Sequence, residues 1–138
     1  MNEDCIFCKI IKGEIPSHKV YEDEHNLAFL DIRPNNHGHT LVIPKDHFEN
    51  IYTLPDETLA RLSLAVKKVA IAVKHGMDAD GINVIMNNET DAGQIIFHAH
   101  FHIIPRLKND GFKHWPQGEY LEGEADAVSE KIKVSLEA

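Results

Sequence analysis

Ile95-Ile96-Phe97-His98-Ala99-His100-Phe101-His102-Ile103-Ile104, followed by Pro105, is the stretch from which the fold can be read. Three histidines stand at i, i+2 and i+4, a period of two that a β-strand projects onto a single face. The stretch therefore reads as one long strand, Ile95 to Ile104, ended by Pro105. Working toward the N-terminus, Asn87 to Gly93 is a polar loop and Ile82 to Met86 another strand. Before it lies the clearest helix, from about Asp56 to His75, with Leu59, Leu62, Val66, Val69 and Val73 recurring along one side. Thr53 is placed to cap this helix, Pro55, Asp56 and Glu57 suit its first turn, and Lys74 followed by Gly76 suits its end.

Further back, His39 to Ile43 reads as a strand closed by Pro44. Lys19 to Glu22 and Asn26 to Asp31 form two β-rich pieces around Asp23-Glu24-His25, a hairpin signal. Cys5 to Ile11 reads as a short helix stopped by Gly13 and Pro16. Beyond Leu107 the chain is polar, with a weak acidic helix near Ala125 to Leu136. Few connections are long enough for parallel crossovers, so the fold class is α+β, a five-stranded antiparallel sheet with one long and one short helix. All 138 residues fit a single domain, its core about residues 5 to 116 and its tail 117 to 138.

Fourteen Lys and Arg against 22 Asp and Glu leave a net charge of −8. That balance argues against a broad nucleic-acid or anionic-membrane surface, while a single phosphorylated ligand held by local donors is compatible with it. No apolar run reaches the length of a membrane helix and no signal peptide is readable, so the expectation is a cytoplasmic protein. Composition is ordinary apart from ten histidines.

Three imidazoles in a row along a strand place His98 and His102 about 13 Å apart, too far for all three to share one zinc. A phosphate-bearing substrate, or a division of labour, accounts for the row better. A neutral imidazole is nucleophilic near pH 7 and can take up phosphorus, while neighbours donate to phosphate oxygens or move a proton. A metal-dependent hydrolase is the alternative, because histidine pairs on strands also hold metals. His39, opening its own strand, adds a fourth imidazole that can orient one of the three.

Cys5-Ile6-Phe7-Cys8 has ligand spacing for zinc but needs two further ligands, with His47 and His98 as candidates. Two reduced, half-buried cysteines are the plain alternative. A structural disulfide across so small a loop would add little.

The segment His98-Ala99-His100-Phe101-His102-Ile103-Ile104 resembles the His-φ-His-φ-His-φ-φ signature of the histidine triad (HIT) family, in its Hint-like bacterial branch. The segments Cys5 to Pro16, Leu27 to Pro34, His39 to Lys45 and Ala92-Gly93-Gln94 resemble family segments in the same order, covering Cys5 to about Pro116. The resemblance implies an enzyme acting at the α-phosphate of purine nucleotide conjugates, with AMP or GMP released through a nucleotidyl-histidine. It assigns His100 as nucleophile, with His102 and His39 on the phosphate side. Asn87 and Gln94 are implied as amide donors, Asp31 as partner of the ribose hydroxyls, and Ile6, Phe7, Ile10, Phe29 and Leu41 as the base pocket. A structural zinc on Cys5, Cys8, His47 and His98 is implied, with no catalytic metal, as is a homodimer. Dinucleoside polyphosphate hydrolysis and a non-catalytic nucleotide-binding module are the alternative functions. Ile95 departs from the pattern, replacing a serine and its hydroxyl, whereas His114-Trp115-Pro116 resembles the C-terminal segment that sets specificity across the dimer.

Overall fold

The computed structural model describes residues 2–138. Its first element is helix α1 (Ile6–Ile11), followed by the hairpin β1 (Lys19–Glu22) and β2 (Asn26–Leu30). The hairpin closes on Asp23, whose carboxylate accepts from the backbone N–H groups of His25 and Asn26 at 2.8 and 2.7 Å and from the Tyr21 hydroxyl at 2.8 Å. Strand β3 (Thr40–Pro44), the long helix α2 (Asp56–Gly76), strand β4 (Gly81–Ile85), strand β5 (Phe101–Arg106) and helix α3 (Glu124–Glu137) complete the order. The five strands form one antiparallel sheet, ordered β1-β2-β3-β5-β4.

Strands β2 and β3 are buried on both faces, which explains why they read as near-continuous apolar runs rather than alternating ones. Ala28, Val42 and Ile103 pack under α2 against Leu62, Ala65, Val66, Val69 and Val73. Leu27, Phe29, Leu41 and Ile43 face the other way and are covered by Phe7 and Ile10 of α1. The sheet therefore carries two apolar layers. Because His102 pairs with Leu41 across β3 and β5, its side chain belongs to the α1 side, opposite the long helix.

Three expectations are corrected. The long strand begins as a ladder only at Phe101. Pro44, which would oppose Ala99, has no N–H to offer; its carbonyl takes the His98 ring at 2.8 Å, and the Ala99 N–H donates to Phe48 O instead. Thr53 does not cap α2: its hydroxyl donates to Asn50 O, and Pro55 occupies the cap position without a side-chain bond. Gly76 is still helical, Met77 forming the C-cap. The C-terminal helix expected near Ala125 to Leu136 is present as α3, 14 residues long with none of them buried.

Candidate functional site

Cys5 is the N-cap of α1, its sulfur accepting from the Cys8 N–H at 3.4 Å, and one helical turn brings the two thiols together. The loop after β3 supplies His47 and the approach to β5 supplies His98. Cys5 Sγ lies 3.4 Å from His98 Nδ1, Cys8 Sγ lies 3.4 Å from His47 Nδ1 and 3.6 Å from His98 Nδ1, and the two ring nitrogens are 3.2 Å apart. These four separations match the edges of the tetrahedron that a zinc ion would impose, for which Zn–N and Zn–S bonds of about 2.05 and 2.3 Å give ~3.3 Å between nitrogens and ~3.6 Å between nitrogen and sulfur. The tautomer agrees. His98 donates Nε2–H to Pro44 O, leaving Nδ1 as a lone pair aimed into the cluster. Burial pushes the His98 ring down to about 4 and raises the Cys5 thiol. Soft sulfur with neutral imidazole is the donor chemistry of a structural zinc, so the four residues fit the ion.

Two residues further on, the backbone turns the same device to another end. His100 Nδ1 donates to His98 O at 2.7 Å, which leaves its Nε2 as the lone-pair nitrogen, without a protein partner among the described residues. The Phe7 ring packs edge-on to His100 at 5.1 Å, and the His102 ring lies 4.9 Å away. His102 Nδ1 meets His39 Nε2 at 2.9 Å, with Asp31 Oδ2 3.7 Å from that same His39 nitrogen. Burial is the leading cause that holds His39, His100 and His102 below the ordinary histidine range, so all three are neutral at pH 7. The row thus divides: His98 belongs to the cysteine cluster, His100 stands alone with a free nitrogen, and His102 is coupled to His39.

The polar loop before β5 contains a short 3₁₀ turn, Thr90–Ala92. Gln94 is buried beneath it, donating to Glu49 O at 2.6 Å and Ile96 O at 3.0 Å while accepting from Glu89 N at 2.8 Å. The Gln94 amide thereby donates to Glu49 O in the segment after β3 and to Ile96 O, while its oxygen holds the loop at Glu89. Asn87 lies against Gly93 and makes no side-chain hydrogen bond among the described residues, so its amide keeps free donors.

The HIT domain family model matches residues 12–109, a span that includes the whole histidine row. The chain belongs to the HIT family. It is 57% identical over 111 residues to protein hit of Bacillus subtilis, covering 80% of this chain and 77% of that one. It is 42% identical over 135 residues to adenosine 5'-monophosphoramidase of Schizosaccharomyces pombe, covering 94% and 98%. Among solved structures, a protein of Streptococcus mutans superposes with a TM-score of 0.94 at 44% identity, covering 99% of this chain and 87% of that one. A zinc-bound histidine triad protein of Mycobacterium smegmatis superposes with a TM-score of 0.76 at 39% identity, covering 84% of each.

In this HIT chain, Phe7, Ile10, Phe29 and Leu41 come together with Leu27 and Ile43 in one apolar cluster beside His100. Ile6 lies outside that cluster and is about half exposed, at 47%. Ile95 is 85% exposed on the loop above Gln94. His114 and Trp115 line a cleft with Asn35, Asn83, Ile104 and Arg106, on the same sheet face as His102. Sequence reasoning missed the backbone groups that set the ring tautomers, Pro44 O, His98 O and the Asn35 N–H. No side-chain pattern encodes them; only the folded path of the chain does.

Proposed function

We propose that this HIT protein is a nucleotide hydrolase that cleaves purine nucleoside phosphoramidates or similar nucleotidyl conjugates, releasing AMP or GMP. The observation that carries the reading is the free Nε2 of a buried, neutral His100, held in place by the bond from its Nδ1 to His98 O. That lone pair attacks the α-phosphorus while His102 Nε2–H donates a hydrogen bond to a phosphate oxygen, and the P–N bond to the leaving amine breaks as the amine nitrogen takes a proton from solvent. Water then attacks the nucleotidyl-histidine, the P–N bond to His100 breaks, and the proton released from water returns to solvent. The net reaction consumes one water and yields an amine and a nucleoside monophosphate.

Around this step, Asn87 donates to phosphate oxygens, Gln94 braces its loop, Asp31 accepts from the ribose hydroxyls, and Phe7, Ile10, Phe29 and Leu41 shape the base side, with Ile6 at its rim. The name of the fission-yeast relative, a monophosphoramidase, supports the phosphoramidate class. Cys5, Cys8, His47 and His98 would hold zinc, which ties α1 to the sheet; with four protein ligands it has no open position for substrate. A reducing cytoplasm keeps those thiols available. Pairing of two copies is supported by the edge position of β4, where Val84 is half exposed.

The test compares hydrolysis of an adenosine phosphoramidate with that of diadenosine tetraphosphate, for the native protein and His100→Ala. Faster AMP release from the phosphoramidate, reduced at least about 10³-fold in kcat by the substitution, is the expected result. Faster cleavage of the tetraphosphate moves the activity to dinucleoside polyphosphates. Inertness toward both with AMP still bound leaves a binding module.

A further inference from the structure

Asp31, His39 and His102 bring their ligand atoms within 4.8 Å of one another and have the composition of a metal site, yet their geometry is that of a proton-ordered chain. The two ring nitrogens are 2.9 Å apart, a hydrogen-bond distance and shorter than the ~3.3 Å edge that zinc would impose. The order of that chain is decided at its far end. Asn35 N–H lies 3.2 Å from His39 Nδ1, and a backbone N–H can only donate. His39 Nδ1 must therefore be the lone pair and His39 Nε2 must carry the proton. That proton points at His102 Nδ1, which must accept, so His102 keeps its own proton on Nε2. Burial of both rings in neutral form removes the imidazolium, which would put two N–H groups face to face.

The donor itself is anchored from a distance. His39 N donates to Asn36 O at 3.0 Å, closing the turn that carries the Asn35 N–H. Asn36 Nδ2 donates to Pro105 O at 2.8 Å and to Asp110 Oδ2 at 3.1 Å. Asp110 is in turn gripped by Arg106, Nε to Oδ2 at 2.8 Å and Nη2 to Oδ1 at 3.0 Å. Arg106 lies on β5, four residues after His102, so the clamp and the histidine share one strand.

We infer that the Asn35 backbone N–H, held by the Asn36–Asp110–Arg106 clamp, is a positioning group that locks His39 in its Nε2–H tautomer and thereby makes His102 present an Nε2–H to the reacting phosphate. The consequence for rate rests on the hydrolytic reading above; the tautomer itself does not. Neither the clamp nor the backbone donor touches substrate.

Long-range 1H–15N correlation spectra of the zinc-loaded, 15N-labelled full chain read the protonated nitrogen of each ring. Native protein shows His39 and His102 protonated at Nε2. Asn35→Pro deletes the N–H, mixes the His39 tautomers, and lowers kcat on the phosphoramidate by about 10- to 100-fold with little change in KM. Asn35→Ala, the conservative variant that keeps the N–H, rescues both readouts. Should the proline variant fail to fold, Asn36→Ala loosens the turn instead and produces the same tautomer mixing. A native His39 protonated at Nδ1, or an Asn35→Pro or Asn36→Ala protein with unmixed tautomers, overturns the lock. Mixed tautomers with unchanged kcat overturn its role in the reaction. Absence of turnover in native protein counts against the hydrolytic reading alone, since the spectra still judge the lock.

Discussion

Gly38 ends the turn that carries Asn35 and Asn36, with φ of +99°, and a Cβ built on it would stand 2.5 Å from Met77 Cγ and 3.3 Å from Pro105 Cγ. Two penalties coincide there, a left-handed backbone and a clash with the end of α2. Gly38→Ala is expected to cost about 2–4 kcal/mol in urea unfolding and to slow turnover, because the neighbouring His39 moves with the turn. A loss under about 0.5 kcal/mol would show that neither the left-handed backbone nor the Met77 contact constrains this position. At this scale the sequence was most legible where side-chain identity carries the chemistry. Alternating histidines announced a site, and Cys5 and Cys8 announced a sulfur pair. The roles of the rings were less legible, because each is fixed by a backbone carbonyl or N–H that only the folded path brings to it, such as Pro44 O on His98 and the Asn35 N–H on His39.

Among elements, α1 is the one whose position depends most on chemistry outside apolar packing. It has six residues, too few to be stable alone, and it is held through Phe7 and Ile10 on one side and the cysteine cluster on the other. Cys8→Ser is expected to abolish stoichiometric zinc and to lower the melting temperature by on the order of 10 °C. His102→Asn, outside the cluster, should leave metal content unchanged; equal zinc loss in both variants would reassign the ligands. Strands β1 to β4 and α2 were readable within a residue or two because apolar pattern and burial coincide there. The stretch Ile95 to His100 was misread as strand because alternation of residue types does not report ladder bonds: the chain bends at Ile96 to His98, and the Ala99 N–H donates to Phe48 O. Thr53 misled for a similar reason: its hydroxyl found a nearer carbonyl.

Viewed whole, the molecule buries three neutral histidines, His39, His98 and His100, with His102 partly buried beside them, and this sets how its stability answers pH. His39, His100 and His102 titrate below their ordinary value, so between those lowered values and about 6.5 the unfolded chain binds more protons than the native one. Stability is complete above that window and is lost as pH falls through it, with a slope of up to about 1.4 kcal/mol per pH unit for each group. Urea midpoints should therefore decrease from pH 7.5 to 5.5. Zinc release by the same protons acts in the same direction, so the slope is compared with that of His102→Asn, where it should be shallower. A midpoint that is flat with pH in the native protein would mean that the rings titrate in the folded protein as they do in the unfolded chain. The C-terminal helix takes no part in this balance, having no buried residue. The segment leading to it holds the chain's one tryptophan, Trp115, 79% exposed, and so an indole already largely in water before any denaturant is added. Its fluorescence will therefore follow events in the tail and the cleft it lines while remaining nearly blind to the melting of the sheet, so the emission that is usually the first window on a protein's unfolding is here a local probe of what enters beside His114.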